Sequence, residues 1–92
     1  MSPHSHPFEG TLDLHTFRPA EAGDVVDAFI EESRARGWRE LRIVHGKGTG
    51  TLRAVVHARL KRSPHVAGFR QADEKSGSWG ATLVALRPKT DK

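Results

Sequence analysis

Polar and apolar side chains alternate from Thr11 to His15, with Leu12 and Leu14 on one side and Asp13 and His15 on the other. A period of two is that of a strand with one buried face. The period then lengthens. Ala22, Val25, Val26, Phe29 and Ile30 form a stripe at helical spacing that runs through Ser33. Arg18-Pro19 opens this helix, because the first helical position does not miss the proline N–H. Glu21 and Asp24 near the start, and Arg34 and Arg36 near the end, complement the helix dipole. Gly37 is placed to end the helix near Arg36.

Leu41-Arg42-Ile43-Val44 reads as a second strand, broken by three glycines within residues 45–50. Leu52, Val55, Val56 and Leu60 mark a second helix, closed by Ser63-Pro64. Val66 to Ala72 reads as a third strand, with Gly68 as a weak point or bulge. A polar turn over Asp73–Trp79 leads to a last strand, Gly80–Leu86. The order β-α-β-α-β-β predicts an α/β two-layer sandwich. A helix links the first two strands, which should therefore be parallel. The last two should form an antiparallel hairpin, giving a mixed four-stranded sheet. The expected organisation is a flexible arm over 1–10, one domain over 11–87 and a charged tail over 88–92.

With 92 residues the chain builds one modest core. It has no cysteine, which excludes a disulfide framework, a zinc ribbon and a thiol nucleophile, and points to a reducing compartment. No apolar run approaches the roughly 18 to 20 residues that cross a bilayer. The start, Met1-Ser2-Pro3-His4-Ser5-His6-Pro7, lacks a secretory signal's basic and apolar regions, so a cytoplasmic location is expected. The net charge is +4 and the pI about 10.1. A basic domain attracts phosphate polymers, since neutralising phosphates releases counterions. Nucleic acid is the expected partner and a membrane is not; the surplus charge also serves solubility.

Three segments carry candidate chemistry. Asp13 and His15 present a carboxylate beside an imidazole near a strand end, where His15 can act as general acid or base and Asp13 can orient it or help hold a metal. His45-Gly46-Lys47-Gly48-Thr49-Gly50 joins a strand to a helix, where backbone N–H groups and a helix N-terminus can meet an anion. Lys47 adds charge and His45 stands at the strand end. The spacing is neither a Walker A loop nor a dinucleotide fingerprint. Gly77-Ser78-Trp79-Gly80 offers Trp79 to stack on a base, or to pack on the sheet. Trp38 reads as a core or boundary residue. His4 and His6 lie in the arm, His57 and His65 have no obvious partner, and no histidine spacing defines a zinc site.

These segments resemble one family. Leu12-Asp13-Leu14-His15 is similar to the LDLH opening of Smr (small MutS-related) domains, His45–Gly50 matches their HGKGTG motif, and Gly77–Thr82 resembles their Gly-rich hairpin segment. Thr16 stands where a glycine commonly follows LDLH, and Ser78 replaces a common second glycine. The resemblance implies a fold similar to the C-terminal domain of translation initiation factor 3 and endonuclease activity on DNA or RNA. Members occur fused to MutS-like proteins or alone, and this short chain resembles the stand-alone kind. Carried over, Asp13 and His15 match the candidate catalytic pair, and His45, Lys47, Gly46, Gly48 and Gly50 match the phosphate-side loop. Since parallel strands would bring His45 to the edge of His15, Asp13, His15 and His45 are the candidate catalytic groups. Gly46, Lys47, Gly48, Thr49, Gly50, Gly77, Trp79 and Gly80 are the candidate substrate-binding ones.

On RNA, one imidazole would take the 2′-OH proton and the other would protonate the leaving oxygen. On DNA, the nucleophile is water, and Mg²⁺ or another divalent ion held partly by Asp13 would assist. The rival reading is a non-catalytic module that binds nucleic acid or a ribosome-like assembly.

Overall fold

The computed structural model describes residues 8–46, 48, 50–72 and 80–88. Its elements are β1 (Gly10–Asp13), α1 (Pro19–Ala35), β2 (Glu40–Val44), α2 (Thr51–Arg62), β3 (Val66–Gln71) and β4 (Ala81–Leu86). The sheet order is β1-β2-β4-β3, with β1 parallel to β2 and the other pairs antiparallel. This is the mixed four-stranded sheet with two helices that the hydrophobic pattern predicts.

The register shows which side chains share a face. Leu12, Ile43 and Thr82 stand side by side, as do Leu41 and Val84. This is the face the helices cover: Ala22, Val26 and Ile30 of α1, with Val56 and Leu60 of α2, join Leu41, Ile43, Val84 and Leu86 in one core. Asp13, Val44 and Ala81 form a row on the other face, where Ala72, Ala81 and Leu83 make a smaller cluster with Phe8 and Val44.

Local chemistry sets the ends of α1. The Glu21 carboxylate accepts the Arg18 N–H at 3.0 Å, and Pro19 takes the first helical position. At the other end Gly37 donates to the Arg34 carbonyl and Trp38 to that of Ser33, both at 3.0 Å, a Schellman closure with Gly37 at φ +79°. Trp38 packs half-buried against the core. The predicted irregularity at Gly68 is a register shift between Val66 and Gly68.

Two expectations are corrected. His15 does not belong to β1, which ends at Asp13. The Asp13 carboxylate accepts the backbone N–H of His15 at 3.0 Å, and Phe17 donates to the Leu14 carbonyl at 2.9 Å, so the chain turns there. The strand also begins earlier, at Gly10, because Glu9 donates to the Glu40 carbonyl and its carboxylate accepts the N–H groups of Arg39 and Glu40. Most of the expected arm, the turn over 73–79 and most of the tail lie outside the described residues.

Ile43 is fully buried between the sheet and both helices. Ile43→Ala should lower unfolding stability by about 2–5 kcal/mol in a denaturant titration. A loss below about 1 kcal/mol would mean that the helices do not rest on β2 as described.

Candidate functional site

Because β1 and β2 run parallel, their C-terminal ends lie at one edge of the sheet. Asp13 is in register with Val44, and Leu14 donates to the Val44 carbonyl at 2.8 Å. The two candidate histidines each follow one of these ends. Alternation then sends their surroundings in opposite directions.

Asp13 projects to the helix-free face, and His15, in the turn beyond, folds back on it. His15 Nδ1 lies 2.8 Å from Asp13 Oδ1, the oxygen that also takes the His15 backbone N–H. That backbone bond first, and the ring bond second, hold the Asp13 carboxyl below the usual aspartate value. An ionised carboxylate only accepts, so Nδ1 carries the hydrogen and a neutral ring keeps its lone pair at Nε2. The side chains are 71% and 53% exposed, so this lone pair is within reach of a polymer.

His45 points inward and is only 5% exposed. Its backbone N–H and that of Gly46 both donate to the Gly80 carbonyl, at 2.9 and 2.8 Å. The loop's entry is thereby tied to the start of β4, and these two amides are not available to an anion. The His45 ring is engaged at both nitrogens: Nδ1 with the Gly46 carbonyl at 3.1 Å and Nε2 with the Thr82 hydroxyl at 2.9 Å. Burial, and to a lesser degree the Arg53 charge, push its pKa down against the bond to Gly46.

Gly46 and Gly50 take φ of +84° and +89°, the left-handed region that glycine adopts without penalty. They turn the chain from β2 into α2, whose cap residue is Gly50. No acidic side chain occupies the first turn of α2 and none caps it. The loop and the starts of both helices enclose an open cleft of about 250 Å³, lined by Pro19, Gly48, Gly50, Leu52 and Arg53 among others. The N-terminus of α2 and the Arg53 guanidinium thus face the same space, an arrangement that favours an anion, while α1 contributes Pro19, which has no N–H, and carries Glu21 in its first turn. A Cβ built at Gly48 would meet nothing within 4 Å among the described residues.

Of the other predicted site residues, Gly80 is buried and supplies the carbonyl that anchors the loop. Lys47, Thr49, Gly77 and Trp79 lie outside the described residues. Sequence reasoning missed Arg53, Thr82 and His57. His57 has a partner after all: its Nε2 is 2.9 Å from the Thr82 hydroxyl. His65 also has one, Glu31 at 3.1 Å, at the far end of α2. Contacts spanning 25 and 37 residues leave no local signal. The one cue was Thr82, a polar residue in an otherwise apolar strand. Among the described residues no group of three or more His, Cys, Asp or Glu side chains could hold a metal ion, and no helix is long and apolar enough to cross a membrane.

The family model of the Smr domain matches residues 12–87. The chain is 46% identical over 77 residues to Endonuclease MutS2 of Thermus thermophilus, covering 84% of this chain and 10% of that protein. It is 39% identical over 82 residues to Endonuclease MutS2 of Halalkalibacterium halodurans, covering 89% and 10%. It therefore spans about a tenth of the length of these curated relatives. The crystal structure of the Smr domain of Thermus thermophilus MutS2 superimposes with a TM-score of 0.82 at 44% identity, covering 86% of this chain and 99% of that one. The crystal structure of YdaL, a stand-alone small MutS-related protein from Escherichia coli, gives 0.79 at 31% identity, covering 84% and 63%. With its fold and its first two motifs placed at one sheet edge, the chain belongs to the Smr domain family.

Proposed function

We propose that this domain cleaves phosphodiester bonds of nucleic acid at the carboxyl edge of its sheet. The observation that carries this reading is the exposed Asp13–His15 pair, which holds an imidazole with Nε2 outward. The net charge of +4 and the similarity to relatives named Endonuclease MutS2 support it.

In this mechanism a substrate phosphate sits in the cleft against the start of α2, with Arg53 offsetting its charge. His15 Nε2 takes the proton of the attacking hydroxyl, which is the 2′-OH of RNA or a water molecule. Asp13 keeps the ring oriented and stabilises the imidazolium that forms. The cleft amides and Arg53 stabilise charge on the transferring phosphate. The leaving oxygen takes its proton from solvent, to which the pair is open. The role assigned to His45 is to build the loop, since both its ring nitrogens are used inside the protein.

A divalent ion was one expectation. Asp13 offers a single carboxylate, already bonded to His15, and no cluster of further donors surrounds it among the described residues. The described residues do not by themselves form a protein-built divalent site, and no step is routed through one. The second reading, a module that binds nucleic acid without turnover, is favoured by the inward commitment of His45, which leaves one accessible imidazole at this edge.

The deciding experiment incubates the protein with labelled single-stranded RNA and with supercoiled DNA, with Mg²⁺ or EDTA. Cleavage by the wild type should fall about 10²- to 10⁴-fold in His15→Ala, the span expected for losing a general base, with the melting temperature unchanged. Full activity in His15→Ala would end the catalytic assignment. Binding without cleavage by the wild type would establish the second reading.

The pair also sets a pH dependence. Asp13 has a depressed folded-state pKa, so its contact with His15 contributes above the unfolded value and is lost as pH falls through the folded one. A carboxyl-carbon NMR titration should place Asp13 below the usual aspartate midpoint. His15→Ala should raise it only partway, because the backbone bond, the larger cause, survives. Return to the usual value would show that the ring alone sets the shift.

A further inference from the structure

Behind the glycine-rich loop, two imidazoles, one from the loop's first residue and one from α2, meet a hydroxyl of β4. Thr82 of β4 is fully buried, and its Oγ1 lies 2.9 Å from Nε2 of His45 and 2.9 Å from Nε2 of His57 on α2. The His57 ring meets the Phe69 ring of β3 edge-on at 5.0 Å and the His45 ring at 6.3 Å. A hydroxyl has a single proton to donate, so at most one of the two rings can accept from it.

The direction follows from the far end. A carbonyl only accepts, so the Gly46 oxygen requires a hydrogen on His45 Nδ1. Burial disfavours a second proton on His45, which leaves Nε2 as acceptor. Thr82 therefore donates to His45, and its oxygen accepts from the Nε2–H of His57. Burial lowers the pKa of His57 too, with Arg53, His45 and Lys61 adding to the effect, which disfavours a second proton on that ring as well. The hydrogen-bond chain runs one way, from His57 through Thr82 and His45 to the Gly46 carbonyl. There Gly46 turns into the left-handed region and the loop begins.

We propose that Thr82 and His57 are positioning residues that fix the ring of His45, and through it the entry of the loop, in the shape that receives a phosphate. The proposal rests on the cleft being the phosphate site, and it extends that site to two residues outside the first two motifs. Neither residue lines the cleft. Their effect is transmitted by a hydrogen-bond chain, and it fails when the hydroxyl is removed with its volume kept.

The test compares wild type, Thr82→Val and Thr82→Ser by ¹⁵N NMR of the histidine rings, by amide hydrogen exchange and by binding to a short single-stranded oligonucleotide. In the wild type at neutral pH, His45 should carry its proton on Nδ1 and His57 on Nε2. Thr82→Val should mix the His45 tautomers and speed exchange at the His45 and Gly46 amides by about tenfold more than at Val26 and Ile30. It should also weaken oligonucleotide binding several-fold, and Thr82→Ser should restore all three. Should Thr82→Val fail to fold, His57→Ala, which removes the donor at the more open end, should shift the same readouts in the same direction.

Reversed tautomers in the wild type would overturn the proposal. So would equal acceleration at Val26 and Ile30, which would signal only lost stability, or an altered ring with unchanged loop exchange. If the wild type binds no oligonucleotide, the functional reading fails, while the ring and exchange data still decide whether the chain holds the loop.

Discussion

The parallel pairing of β1 with β2 is the constraint on which the site depends. Through it Asp13 lies beside Val44, and the two motifs, separated by the whole of α1, leave the sheet at the same edge. An antiparallel pair would have put them at opposite ends. The pairing exists because a helix with one apolar face carries the chain back across the sheet. Ala22, Val26 and Ile30 bury that face against Leu41 and Ile43 of β2, so the core that stabilises the domain also brings the two motifs together.

At that edge the sheet's alternation divides the labour. Asp13 points outward and holds His15 in solvent, whereas His45 points inward and holds the loop. Two histidines from similar strand ends therefore differ in environment. The inward one gives up ring and backbone bonds to Gly80, Thr82 and Gly46, and in exchange gives the loop a fixed starting point. Gly48, Gly50, Leu52 and Arg53 line the cleft, and the start of α2 carries no acidic residue to compete with a phosphate.

Much of this was legible in the sequence, because hydrophobic period and punctuation are local. Pro19, Gly37 and Ser63 mark helix ends where the pattern places them, and the bulge at Gly68 follows from its missing side chain. The exit of His15 from the strand was not legible, because a short carboxylate competed with the ladder for a backbone N–H. Nor was the use of the Gly46 amide, whose partner Gly80 lies 34 residues on. His57 looked solitary because helix α2 shows only that its neighbours Val56 and Leu60 are apolar. Its hydroxyl partner comes from a strand at the other end of the chain.

The central claim is that a nucleic-acid phosphate occupies the edge where β1 and β2 end. Titrating the ¹⁵N-labelled domain with a short oligonucleotide and mapping the amide shifts tests it most directly. The largest changes should fall at His15, Gly48, Gly50, Leu52 and Arg53, with Ser63 and His65 beyond the far end of α2 unmoved. Changes centred on that far end, or spread evenly over the basic surface, would contradict the claim.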